Sequence, residues 1–112
     1  MAKVVITKYL EKEINKKFKK ESIKIIELMF SLEKNPKKGK YLGRVGSIVI
    51  KELRYKSFRF YFITDGLKLK LLKSEELSDL LIKFVRMSDK TSQQKTIDEI
   101  KDVLRRLDNK GF

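Results

Sequence analysis

Arg54, Arg59, Arg86, Lys51, Lys83 and Tyr61 are the side chains through which this 112-residue chain is equipped for chemistry. Histidine and cysteine are absent. Ser-His-Asp and Cys-His nucleophilic arrangements are therefore excluded, and a zinc site lacks its usual ligands. Neither a Gly-x-x-x-x-Gly-Lys-Ser/Thr phosphate loop nor a dinucleotide-binding glycine fingerprint occurs. The chemistry left is that of guanidinium and ammonium groups beside one phenol. Guanidinium groups hold phosphate oxygens through bidentate hydrogen bonds. They stabilise the charge that builds when a ribose 2′-hydroxyl attacks the adjacent phosphorus and a 5′-oxygen leaves. A tyrosine or lysine moves the protons if neighbouring cations lower its pKa. Metal-independent RNA cleavage is thus the expectation, with Arg59, Arg86, Lys83 and Tyr61 as catalytic candidates. The same residues equally suit the wet face of a half-exposed sheet, and spacing alone does not separate the two.

The charge distribution points to a polyanion. The chain carries 28 Lys and Arg against 15 Asp and Glu, a net +13, and +10 of that lies in residues 1–56. A strongly basic half implies an anionic partner such as nucleic acid, an anionic membrane surface or an acidic protein. A lysine-rich background composition explains much of the bulk charge but accounts less well for the arginines. Lys37, Lys38, Lys40 and Arg44 belong to a glycine-punctuated basic stretch, Lys37 to Gly46. With Lys51 and Arg54 they are candidates for contacting an RNA backbone without reading its sequence.

These groups need elements to position them. Length and a hydrophobic content of 41% suit one domain, residues 1–112. Apolar runs fall far short of the roughly 20 residues needed to span a bilayer, and the start lacks a signal peptide's pattern. A soluble cytoplasmic protein with no cofactor and no metal is expected. Lys3 to Thr7 reads as a strand. Leu10, Ile14 and Phe18 mark one helix face, and Ile25, Leu28, Met29 and Leu32 mark another, ended by Asn35-Pro36. Lys37 to Gly46 reads as a loop. Ile48 to Tyr55 and Ser57 to Thr64 read as strands. Asp65-Gly66 signals a two-residue hairpin into a third strand, Leu67 to Leu72. Leu80 to Met87 is a further strand. A last helix presents Ile97, Ile100, Leu104 and Leu107 on one face, with a capping box at Thr91 to Gln94 or Thr96 to Glu99. Arg59 and Tyr61 share one face of their strand, and Phe58, Phe60 and Phe62 form a core stripe on the other. The expected domain is α+β, in the order β-α-α-β-β-β-β-α, with helices on one side of an antiparallel sheet.

The ordered set Asn35-Pro36, Gly39-Lys40, Leu42-Gly43, Leu53-Arg54 and Arg59-Phe60-Tyr61 resembles the RelE/ParE toxin superfamily of toxin–antitoxin systems. Phe84-Val85-Arg86, followed by Thr96 and Glu99-Ile100, is similar to its HigB-like, phage-associated branch. The resemblance spans nearly the whole chain. It implies a curved antiparallel sheet with an N-terminal helical hairpin and a C-terminal helix. It also implies a cognate antitoxin partner and one of two activities. RelE-like members cleave mRNA, usually on the ribosome; ParE-like members poison DNA gyrase. Carried over, Arg59 matches the arginine of the family's Tyr/Phe-Arg-x-x-Tyr strand, Tyr61 falls one residue short of that strand's tyrosine, Arg54 matches its Leu-Arg arginine, and Arg86 matches a basic residue of the last strand. Glu52 stands where the ribonuclease branch often has lysine, and no tyrosine or histidine follows residue 61. Those departures keep two further readings open: a ParE-like toxin that is not a nuclease, and a catalytically degenerate RNA-binding relative.

Overall fold

The structure, a computed structural model, describes residues 1–107. In chain order it comprises β1 (Lys3–Ile6), α1 (Lys8–Phe18), α2 (Ser22–Phe30), β2 (Lys40–Val45), β3 (Ile48–Tyr55), β4 (Phe58–Asp65), α3 (Gly66–Leu71), β5 (Leu81–Ser88) and α4 (Gln93–Arg106). The five strands form one sheet in the order β1-β5-β4-β3-β2. Strands β2 to β5 pair antiparallel. Strand β1 lies parallel to β5, Lys3 opposite Leu81, so the sheet is mixed rather than wholly antiparallel. A parallel pair needs a long crossover, and here the whole chain between β1 and β5 provides one.

Strand β4 explains why the sheet is covered on both faces. Every residue from Arg59 to Thr64 is buried. Phe60 and Phe62 join Leu53, Ile82 and Phe84 in a core with Leu10, Ile14, Ile25 and Met29 of the helical hairpin. Tyr61 and Ile63 alternate onto the opposite face and meet Ile50, Ile97 and Ile100. Side chains at successive strand positions point to opposite faces, so α1 and α2 cover one face and α4 the other. The expectation of helices on one side is corrected accordingly, since an aromatic-rich strand with apolar residues in both phases needs cover on both faces. Burying each large side chain contributes about 1.5–3 kcal/mol, and Phe60, Tyr61, Phe62 and Phe84 are all fully buried.

Local signals set the helix ends. Thr7 caps α1, its Oγ1 accepting from the Leu10 amide at 3.3 Å. A 3-10 turn, Ser31–Glu33, closes α2 just before Asn35-Pro36. Helix α4 begins at Gln93 and carries neither expected capping box, since Ser92 at its start makes no side-chain cap bond. The Asp89 carboxylate instead accepts from the Ser92 amide and the Thr91 hydroxyl, both at 2.9 Å, and Thr96 Oγ1 donates to the Ser92 carbonyl. Those bonds hold the Asp89 carboxyl below its usual range. The glycine-rich stretch is not all loop: Lys40–Val45 pairs with β3, with an irregularity between Tyr41 and Gly43.

The Asp65-Gly66 signal resolves differently from a hairpin. Asp65 caps α3, accepting from the Leu67 and Lys68 amides at 2.9 and 3.1 Å, so Leu67 to Leu72 is mostly helical rather than a third meander strand. Its leucine-lysine alternation matches a strand, but β4 already pairs with β3 on one edge and β5 on the other. An Asx cap satisfies the two amides that a turn would leave free. Gly66 is required for close approach. A Cβ there would lie 2.5 Å from Val49 Cγ1 and 2.9 Å from the Ser47 carbonyl, to which the Gly66 amide donates at 2.7 Å. Gly66→Ala is therefore expected to destabilise the fold by about 1–3 kcal/mol, read as a fall in urea midpoint at unchanged slope. A midpoint equal to wild type would show that β3 yields to the methyl group.

Candidate functional site

Three neighbouring strands bring their arginines to the face covered by α4. Across β3 and β4, Arg54 stands opposite Arg59 and Glu52 opposite Tyr61. Across β4 and β5, Tyr61 stands opposite Arg86 and Arg59 opposite Ser88. Val85 bulges out between Phe84 and Arg86, which keeps Arg86 in phase with Tyr61. Like charges directly opposite each other repel, so Arg54 and Arg59 need an anion between them.

Glu52 is that anion, and its carboxylate is 1% exposed. Its Oε2 accepts from Arg54 Nε at 3.2 Å and lies 3.7 Å from Arg59 Nε. Its Oε1 accepts from Gln93 Nε2 at 3.1 Å. Gln93 arrives there because it lies one turn before Ile97, whose burial pins α4 to the sheet. Arg59 is 6% exposed. Its Nη1 donates to the Ser57 carbonyl at 3.4 Å, and its buried Nε has no hydrogen-bond partner. Arg54 extends into solvent, its side chain 55% exposed. Two arginines thus flank one carboxylate, and the pair keeps an excess of positive charge beside the exposed Arg54. Arg86 lies on the same face but across Tyr61, without contact to Glu52.

Tyr61 is fully buried. Its hydroxyl lies 2.7 Å from Ser88 Oγ, and that Oγ donates to the Asp89 carbonyl at 2.9 Å, so the tyrosine is the donor of the pair. Burial pushes the phenol above its ordinary pKa, an effect larger than the opposing pull of Ser88 and Arg59. The expectation that neighbouring cations would lower it is therefore corrected: desolvation outweighs them, and Tyr61 keeps its proton at neutral pH. Arg86 is half-buried, with Nη1 on the Val85 carbonyl at 2.9 Å. Lys83, opposite Ile63, is half-buried on the same face.

The remaining cations divide between faces. Lys40 pairs across from Glu52 and lies on the arginine face. Lys51 and Arg44 are in the opposite phase; Lys51 stands across from Phe62 and Arg44 across from Val49. Lys51 is thus separated from the arginine cluster by the sheet itself. Its Nζ donates to the Lys37 carbonyl at 2.9 Å, and burial lowers its pKa. Lys37 and Lys38 are exposed in the turn before β2. Three members of the arginine cluster were not among the sequence candidates: Glu52, Ser88 and Gln93. Glu52 was legible in principle, two residues from Arg54 in one strand. Gln93 was not, because its placement depends on where α4 docks.

The chain matches no protein-family model, no curated protein and no solved structure. No described helix is long and apolar enough to cross a membrane.

Proposed function

We propose that this protein is a toxin of the RelE/ParE kind that cleaves mRNA on the ribosome, using the arginine face beside α4 to stabilise phosphate charge. The observation that carries the reading is the pairing of Arg54 and Arg59 about the buried carboxylate of Glu52, with Arg86 on the same sheet face one strand beyond Tyr61. In the proposed reaction a 2′-hydroxyl attacks the adjacent phosphorus and the bond to the 5′-oxygen breaks. A 2′,3′-cyclic phosphate forms; the 2′-hydroxyl gives its proton to water, and the departing 5′-oxygen takes one from water. Arg54, open to solvent, meets the phosphate, and Arg86 adds positive charge farther along the same face. Arg59 acts from beneath, where low dielectric strengthens its field. Tyr61 is buried and protonated, and Lys83 stands at the level of Ile50 and Ile63, four residues along the sheet from Arg54, so solvent water rather than either side chain carries the protons. Lys40, on the same face, and Lys37 and Lys38 in the turn before it supply backbone contacts, whereas Arg44 lies on the other face. The partner expected on this basic surface is an acidic antitoxin.

The burial of Tyr61 and Arg59 favours a second reading, a ParE-like toxin that acts on a topoisomerase without cutting RNA. Induced expression separates the two. The nuclease reading expects translation to stop within minutes without a DNA-damage response. Induction of that response while protein synthesis continues would replace it with the topoisomerase reading. Normal growth at high expression would leave the inactive relative.

A further inference from the structure

We propose that the face of the sheet opposite the arginine cluster carries a second anion site, a pocket for the phosphate of a nucleotide, between α3 and strands β2 and β3. The pocket has a volume of about 380 Å³, within the range of small-ligand sites. Arg44, Lys51 and Lys70 line it, and no acidic residue does. Lys51 is the decisive member. It is 7% exposed, and its one hydrogen bond is to the Lys37 carbonyl, although an ammonium has three donors. It makes no ion pair with any described residue, and Phe62 lends only the face of its ring, 6.0 Å away. A buried ammonium without a counter-charge is unfavourable, so this one is poised for an anion that enters from solvent.

The rest of the pocket fits a nucleotide. Gly39, Gly46 and Gly66 lie in its wall, Gly39 packed against Phe62 and Gly66 against Val49. Tyr41 is 58% exposed at the rim and offers a ring on which a base can stack. The two acids adjacent in sequence to lining residues are engaged elsewhere: Asp65 caps α3, and Glu52 points to the other face, towards Arg54 and Arg59. The phosphate comes either from a free mononucleotide or from one nucleotide of an RNA strand. The site is independent of cleavage on the other face.

Amide chemical shifts of the full chain, titrated with adenosine monophosphate and separately with a six-nucleotide uridine RNA, test the proposal. The expected result is perturbation at Val49, Lys51, Gly66 and Leu67, with affinity falling about tenfold or more in Lys51→Met. Saturation by the mononucleotide assigns the site to free nucleotide, and a response to the RNA alone assigns it to an RNA strand. Arg44→Gln and Lys70→Gln, both changes at the mouth of the pocket, carry the same test should Lys51→Met not fold. Absence of shifts with both ligands, or shifts confined to residues around Glu52 and Arg59, overturns the proposal, as does unchanged affinity in the substituted proteins.

Discussion

Glu52→Ala is expected to lower the unfolding free energy by about 3 kcal/mol, a large part of the stability of a domain this size. The substitution removes the only carboxylate within ion-pair reach of the Arg59 guanidinium among the described residues. It leaves that buried cation directly opposite Arg54 and strips Gln93 of its acceptor. The damage arises from an uncompensated charge rather than a lost contact, so it should be reversible by removing the charge. Glu52→Leu combined with Arg59→Met is expected to regain most of the loss, because replacing both members of a buried pair by apolar groups is often near neutral. Urea unfolding of the two single variants and the double variant measures this coupling. Additive losses would mean that the two residues act separately, and the account of the cluster would fail.

The second large effect concerns activity. Arg54→Ala is expected to reduce mRNA cleavage by about 100-fold, in line with loss of one preorganised charge-stabilising group. Its stability should stay within about 0.5 kcal/mol of wild type, because the side chain is largely solvated and its ion pair is half-exposed. Arg59→Met should also abolish growth arrest, but with a loss of stability, since it leaves Glu52 buried with less compensation. The contrast between the two arginines is the informative result. Equal losses of stability would mean that Arg54 is a structural residue. Full toxicity in both, with folded protein, would remove the arginine face from the mechanism.

The parts of this fold that were legible in the sequence are those set by local periodicity. The stripes Leu10-Ile14-Phe18 and Ile25-Met29-Leu32 gave the helical hairpin, and β3, β4 and β5 emerged within a residue or two of their bounds. What was not legible depends on tertiary choice. Leu67 to Leu72 alternates like a strand, yet Asp65 caps a helix there because no sheet edge beside β4 is free. Lys40–Val45 looks like a glycine-rich loop, yet β3 has an open edge that it completes. Alternation correctly put Arg59 and Tyr61 on one face, but it carried no information on burial. The docking of α4 buries Tyr61 completely and raises its pKa where the neighbouring cations alone would lower it. The same alternation separates Lys51 from Arg54, a division hidden when both are read as members of one basic stretch.

Primer extension on cellular mRNA after induced expression, with Arg54→Ala beside the wild type, tests the central claim most directly. Discrete new 5′ ends within coding regions, present for the wild type and lost in the variant, are the predicted result. Growth arrest with intact transcripts, or identical cuts from both proteins, would contradict it.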